Sequence, residues 1–324
     1  MDGTPATLPT FTDVLAAAAR IAPHAHVTPV LRSRALDALA CCELHFKAEP
    51  LQRAGSFKFR GACNAVWSLE PADAARGVVT HSSGNHGSAL ALAARTRGIA
   101  CHVVVPDGAV AAKLAAIEAY GATLHRCAPT IAAREETAAR VQRETGATFV
   151  HPYTDPRVIA GQGTVAMELV NASGGLDVVV APVGGGGLAS GCALALAALA
   201  PGCELLLGEP AGAADTARSL QSGRRDVDFV PDTVCDGLRG TLGEPGFDLL
   251  RAHRARVAVV EDAATLAALG LLWTRLKLLV EPSSAIAFAA VLQQRERLAG
   301  KRVGVVLSGG NVDLDALATL FAGA

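Results

Sequence analysis

The feature that most constrains this chain is the regular alternation of short β-branched runs with alanine-rich stretches of helical length. The runs are Val78 to Thr80, His102 to Val105, Thr148 to His151, Val178 to Val183, Leu205 to Leu207, Val257 to Val260 and Val303 to Leu307. Between them the pattern predicts helices at about 84–98, 130–145, 156–171, 187–199 and 282–296, several opening on Ser or Asp, which can cap a first turn. Such alternation means βαβ units, an α/β fold with open, twisted, mostly parallel sheets flanked by helices. At 324 residues the chain exceeds one ordinary core, so two lobes are expected. Right-handed crossovers leave ligands at the carboxyl ends of strands, and the residues just after each strand are where chemistry is to be sought.

Composition narrows the partners. Hydrophobic residues make up 51% of the chain and charged residues 18%, enough apolar material to cover parallel sheets on both faces. The net charge of -1 provides no basic field for a phosphate backbone, so nucleic acid is not an expected partner. Eight cysteines, Cys41, Cys42, Cys63, Cys101, Cys127, Cys192, Cys203 and Cys235, stand in apolar surroundings without a CxxC pair, the usage of buried, reduced thiols in a cytoplasmic protein. Asp2 and Asp13 occupy an amino terminus that lacks the basic and apolar regions of an export signal, and no apolar run approaches 18 residues. No membrane partner is expected.

Four polar or glycine-rich loops fall at strand ends or helix starts. Gly184 to Gly187 follow the strand at 178–183 and open a helix at Leu188, where backbone N–H groups and the helix dipole can hold an anion such as a phosphate. The bland alternative is a flexible turn, and the loop alone does not separate a dinucleotide from another phosphorylated ligand. Ser56 to Ala62 place Lys58 at the start of an apolar helix between Phe57 and Phe59, a setting that favours the neutral amine needed to form an imine. A solvated surface lysine is the ordinary alternative. Ser82 to Gly87, Ser-Ser-Gly-Asn-His-Gly, follow the first strand and expose backbone donors, although a single helix cap would need only one of the serines. Ser308 to Asn311 follow the last strand, where an ordinary glycine turn is the alternative.

The motifs S-F-K-x-R-G-A, S-S-G-N-H-G, V-G-G-G-G, E-P-S and S-G-G-N-V-D occur in this order along nearly the whole chain. In them the sequence resembles the serine racemase and serine/threonine dehydratase family, the fold-type II pyridoxal-phosphate enzymes related to the tryptophan synthase β chain. The resemblance implies a large domain from 1–76 and 155–324, a small α/β domain inserted at 77–154, and a cofactor in the cleft. It implies that Lys58 is the Schiff-base lysine and that Phe57 borders the cofactor ring. It also implies that Gly184, Gly185, Gly186, Gly187 and the amide of Leu188 hold the phosphate, that Asn85 bonds the ring hydroxyl and that Ser308 meets the ring nitrogen. A hydroxyl partner there stabilises a carbanion less than a carboxylate would, which suits prompt expulsion of a β-leaving group.

The implied activity is dehydration of serine, threonine or threo-3-hydroxyaspartate to a 2-keto acid and ammonia, with Lys58 as base at Cα. Ser82, Ser83, Asn85 and His86 would receive the substrate, the α-carboxylate being bound by hydroxyl, amide and backbone donors. Ser83 would face Cα from the side opposite Lys58, which leaves serine or aspartate-type racemisation open as an alternative. Glu209, the carbonyl of Ala213 and Asp215 match the spacing by which racemase-like members bind Mg²⁺ or Ca²⁺; the bland reading is a helix cap by Asp215 beside a solvated Glu209. Arg134 aligns with an arginine that faces the distal carboxylate of dicarboxylic ligands, against the alternative of a solvated side chain pairing along its helix.

Departures from the family pattern bear on regulation. Tyr153 stands where racemases have asparagine after His-Pro, and Ser88 stands where animal racemases have glutamine at a nucleotide site, so ATP regulation is not expected. The chain stops at Ala324, soon after Asn311, so the regulatory domain of isoleucine-sensitive threonine dehydratases is not expected. A homodimer is implied. Outside the family, a dinucleotide-binding oxidoreductase would use the glycine loop but has no role for Lys58, and a β-replacement synthase would read Asn-Thr-Gly at Asn85-His86-Gly87.

Overall fold

The computed structural model describes residues 8–313; Asp2 and residues 314–324 of the expected large domain lie outside them. In chain order the strands are β1 (Val30–Leu31), β2 (Glu43–Ala48), β3 (Val78–His81), β4 (Cys101–Pro106), β5 (Thr123–Cys127), β6 (Thr148–Phe149), β7 (Val178–Pro182), β8 (Glu204–Pro210), β9 (Arg256–Val260) and β10 (Arg302–Leu307). One six-stranded sheet has the order β1-β2-β10-β7-β8-β9, parallel throughout except where β1 meets β2. A second, four-stranded sheet, β5-β4-β3-β6, is wholly parallel and is built from chain inserted between β2 and β7.

The expected alternation is therefore present, with β1, β2 and β5 added to it. β5, Thr-Leu-His-Arg-Cys, lies at a sheet edge and carries little apolar pattern. Residues 150–151, expected to continue β6, instead lead into a turn. The period of two is visible where both faces are covered: Val178 and Val180 enter one core with Phe46, Val305 and the helix Pro282–Gln293, while Val179 and Ala181 enter another with the helices Pro156–Ser173 and Gly187–Leu199. All eight cysteines are free; Cys41 is exposed and Cys203 half-buried, so the expectation of burial holds for the other six. Among the described residues, no helix is long and apolar enough to cross a membrane.

Two devices fix the helix Lys58–Trp67. Its Gly61 faces Gly161 so closely that a Cβ on Gly161 would stand 2.6 Å from the Gly61 Cα, and the Gly61 N–H donates to Gln162 Oε1 at 3.1 Å. Arg60, wholly buried, donates through Nε and Nη2 to both oxygens of Glu49 at 2.8 Å each, and through Nη1 and Nη2 to Glu168 at 2.6 and 2.8 Å. Glu168 also accepts from Lys47 at 2.5 Å. The four groups balance in charge, and removing one partner from such a buried set typically costs about 3–5 kcal/mol. Residues two apart on a helix point about 200° from each other, so anchoring Arg60 behind directs Lys58 toward the cleft.

Candidate active site

Lys58 opens its helix, and Ser56-Phe57 before it are stitched to the loop after β10. Ser56 bridges Gly309, the Phe57 N–H donates to Ser308 O at 3.0 Å, and the Gly310 N–H donates to Gly55 O at 3.0 Å. Ser308 is buried at the end of β10, so two of the expected loops form one wall. The Lys58 side chain is half-buried, and surrounding protein lowers its amine to about 8, with the Glu281 charge opposing that fall. Nζ lies 5.2 Å from the Phe57 ring centre and donates to Pro152 O at 3.1 Å. Phe57 thus borders the amine, whereas Phe59 does not: it is wholly buried in the core between its helix and the four-stranded sheet, under Arg53.

Each glycine of the loop after β7 has its own steric requirement. A Cβ on Gly184 would stand 2.9 Å from the Leu238 Cα, and one on Gly185 would stand 2.4 Å from Cγ of Tyr153. Gly186 has a φ of +90°, and a Cβ on Gly187 would meet the Tyr153 Cα at 3.0 Å. The loop is a packed cradle, not a slack turn. Because the helix begins at Gly187, the amides of its first turn have no carbonyl one turn back and remain available to an anion.

The loop after β3 opens the helix Asn85–Arg97 with Gly84 in the capping position and no side-chain capping bond, so Ser83 does not act as the cap. A Cβ on Gly87 would stand 2.1 Å from Ser82 O, which holds the turn tight. Asn85 Nδ2 donates to both oxygens of Glu281 at 2.9 and 3.2 Å, and Asn85 Oδ1 accepts from Asn311 Nδ2 at 2.9 Å. Its Oδ1 has a second lone pair with which to meet a ligand. The imidazole of His86 turns away into the protein, 3.3 Å from Val150 O, and burial holds it well below the usual histidine range. What His86 can present to a substrate is its backbone N–H. Ser88 lines a neighbouring cleft of about 320 Å³ with Asn85, Lys113, Tyr120 and Asn311.

Arg134 is the fourth residue of the helix Ile131–Thr145; the His81 imidazole, just before Ser82, is lowered chiefly by burial, with the Arg134 charge a minor contributor opposed by that of Glu135. Its Nε is buried without a hydrogen-bond partner. At the proposed ion site the bland reading is reversed. Glu209 is wholly buried and receives the first-turn amides of the helix Asp215–Ser222, from Thr216 at 2.7 Å and Ala217 at 2.9 Å. Asp215 Oδ2 accepts from the Leu242 N–H at 2.8 Å, while its Oδ1 is buried without a partner. Burial pushes Glu209 up to about 7 and Asp215 up to about 6. Among the described residues, no group of three or more His, Cys, Asp or Glu side chains could hold a metal, so an ion here would need the Ala213 carbonyl and water.

Three residues at the centre were given no place in the site by the sequence reading. Glu281 of the E-P-S motif is buried beside Asn85, and burial together with the Asp236 charge raises its carboxyl to about 7. Tyr153 packs on the glycine cradle. His151 Nδ1 accepts the Tyr153 and Thr154 N–H groups at 3.3 and 3.1 Å. For Glu281 and His151, an ionisable side chain within an apolar or proline-containing motif was the available signal.

The family described as pyridoxal-phosphate dependent enzyme matches residues 21–309. The chain is 49% identical to a beta-hydroxyaspartate dehydratase of Paracoccus denitrificans, covering 96% of this chain and 98% of that protein. It is 41% identical to an L-threo-3-hydroxyaspartate ammonia-lyase of Saccharomyces cerevisiae, over 98% and 97% of the two chains. Among solved structures, serine racemase from Dictyostelium discoideum superposes with a TM-score of 0.91 at 43% identity, over 94% and 99% of the two chains.

Proposed function

This chain belongs to the pyridoxal-phosphate dependent enzymes, and from that premise we propose that it is a dehydratase converting a β-hydroxy amino acid, threo-3-hydroxyaspartate in the first place, to a 2-keto acid and ammonia. The observation that carries the reading is the Lys58 amine, lowered to about 8, on a segment bound to the loop after β10, which in turn bonds Asn85 of the loop after β3. The residues present fit the cofactor. Lys58 would hold it covalently, Phe57 would border its ring, the amides of Gly184 to Leu188 would take its phosphate, Asn85 its hydroxyl and Ser308 its ring nitrogen. When bound, it supplies an electron sink that acidifies the substrate Cα–H.

The chain's own groups then divide the work. Ser82, Asn85 and the His86 amide, at a helix start, bind the α-carboxylate, and the Lys58 amine takes the Cα proton. The buried, unpartnered Nε of Arg134 favours a substrate with a second carboxylate. Ser83, free of capping duty, keeps racemisation open as a side activity through a proton from the other face. Glu209, Asp215 and the Ala213 carbonyl would hold Mg²⁺ or Ca²⁺, a reading supported by the orphaned Asp215 Oδ1 and by a charge that burial makes costly. We place the protein in the cytoplasm on its eight free thiols, and take residues 77–154 as the small domain. We also infer a homodimer, on the family resemblance.

Keto-acid release from threo-3-hydroxyaspartate, threonine and serine by wild type and Arg134→Ala tests the reading. The variant should raise KM for the dicarboxylic substrate at least tenfold more than for serine. Equal effects on both would remove Arg134 from the substrate site, and no keto acid from any of the three would refute the dehydratase.

A further inference from the structure

The contact between Lys58 Nζ and Pro152 O, 3.1 Å, joins the reactive amine to a carbonyl that is held from three sides. Proline fixes its own φ, which limits how Pro152 can turn. After it, the chain is bound back by His151, whose Nδ1 accepts the Tyr153 N–H at 3.3 Å and the Thr154 N–H at 3.1 Å. The Tyr153 ring is wedged over Gly185, and Thr154 lies so near Gly243 that a Cβ there would stand 2.4 Å from Thr154 Cγ2. Because Nδ1 accepts, the ring proton belongs on Nε2 and the imidazole is neutral. Burial and the neighbouring His81 and Lys58 charges, which hold His151 down to about 4, agree with that. His151 itself packs edge to face against His81 and Tyr153, with ring centres 5.3 and 4.5 Å away.

We propose that the Pro152 carbonyl is the dock of the free Lys58 amine, and that His151 is the positioning residue that sets it. The inference rests on the reading of Lys58 as the base. A free lysine side chain has rotamer entropy to lose before it can act. Donating one N–H to a fixed carbonyl restricts the chain while leaving the nitrogen lone pair free. In the step it serves, the Cα–H bond breaks, its electron pair stays with the substrate, and the proton forms a new N–H bond on Nζ. The ammonium so formed can keep its bond to Pro152 O, ready to return or release the proton.

The test uses the holoenzyme of wild type, His151→Leu and His151→Asn, with threo-3-hydroxyaspartate carrying hydrogen or deuterium at Cα. Asparagine keeps an acceptor that can bind the N–H two residues on, and leucine does not. Misplacement of a reacting group by about 1 Å costs on the order of 10²-fold. His151→Leu should therefore lower kcat by about that factor at similar KM, raise the deuterium isotope effect on kcat, and keep the visible absorption of bound cofactor. His151→Asn should recover at least tenfold of the loss. A fall in kcat that merely follows lost cofactor, or an isotope effect equal to wild type, would overturn the dock, even where Asn folds and Leu does not. Lys58→Ala separates the two readings: retention of Cα proton exchange by that variant would remove Lys58 as base, whatever His151 does.

Discussion

Gly185→Ala is the sharpest test of the cradle, because the structure states what the added methyl would meet. Its Cβ would stand 2.4, 2.5 and 2.6 Å from Cγ, Cδ1 and Cδ2 of Tyr153, all inside van der Waals contact. Gly185 does not have a positive φ, so backbone strain does not enter and the effect is steric. Either the ring or the loop must move, and overpacking of this kind costs about 1–3 kcal/mol. If that cost falls on the cradle, cofactor affinity weakens by about 5- to 150-fold, at 1.4 kcal/mol per tenfold. Titration of the apoprotein with pyridoxal phosphate, followed by visible absorption, measures it, and thermal unfolding shows how much falls on stability instead. Adding Tyr153→Ala removes the ring atoms that clash, so the double variant should bind the cofactor more tightly than Gly185→Ala alone. Such a rescue is the coupling expected of residues in direct contact. The steric argument fails if Gly185→Ala binds and melts like wild type, or if removal of the ring restores nothing.

Three further outcomes are expected. The Lys58 amine must be neutral to take a proton and lies near 8, so kcat should fall about tenfold per pH unit below about 8; a flat profile between pH 6.5 and 8 would exclude Lys58 as the titrating base. Glu209→Gln with Asp215→Asn should lower Mg²⁺ or Ca²⁺ affinity at least tenfold, measured by calorimetry, while the visible spectrum of bound cofactor is retained. Ser83→Ala should abolish enantiomer interconversion and leave part of the keto-acid release; because Gly84 holds the capping position without a side-chain bond, its melting temperature should stay within about 2 °C of wild type, and a parallel loss of both activities with folded protein would refute the two-face reading.

The α/β class, the order of most strands and the glycine-rich loops at strand ends were legible in the amino-acid sequence alone. Strands such as β3, β7 and β10 are buried on both faces, and only near-continuous valine-rich runs satisfy that, so they were legible without coordinates. The helix-opening glycines were legible for a similar local reason: the backbone must adopt or approach what no side chain permits. What the tertiary structure alone decided is which distant groups meet. Asn85 bonds Glu281, 196 positions away, and Lys58 bonds Pro152, 94 positions away; no periodicity links such pairs. β5, an edge strand, had no need of an apolar run, and β2 can bury Lys47 because Glu168 and the Thr28 carbonyl arrive to receive its amine. The same reason separates His86 from its neighbours in the loop: its side chain is buried against Val150, because the helix Asn85–Arg97 packs that face on the four-stranded sheet. Local pattern records what each segment must bury, whereas the site is made of what the assembled segments bring within hydrogen-bond reach of each other.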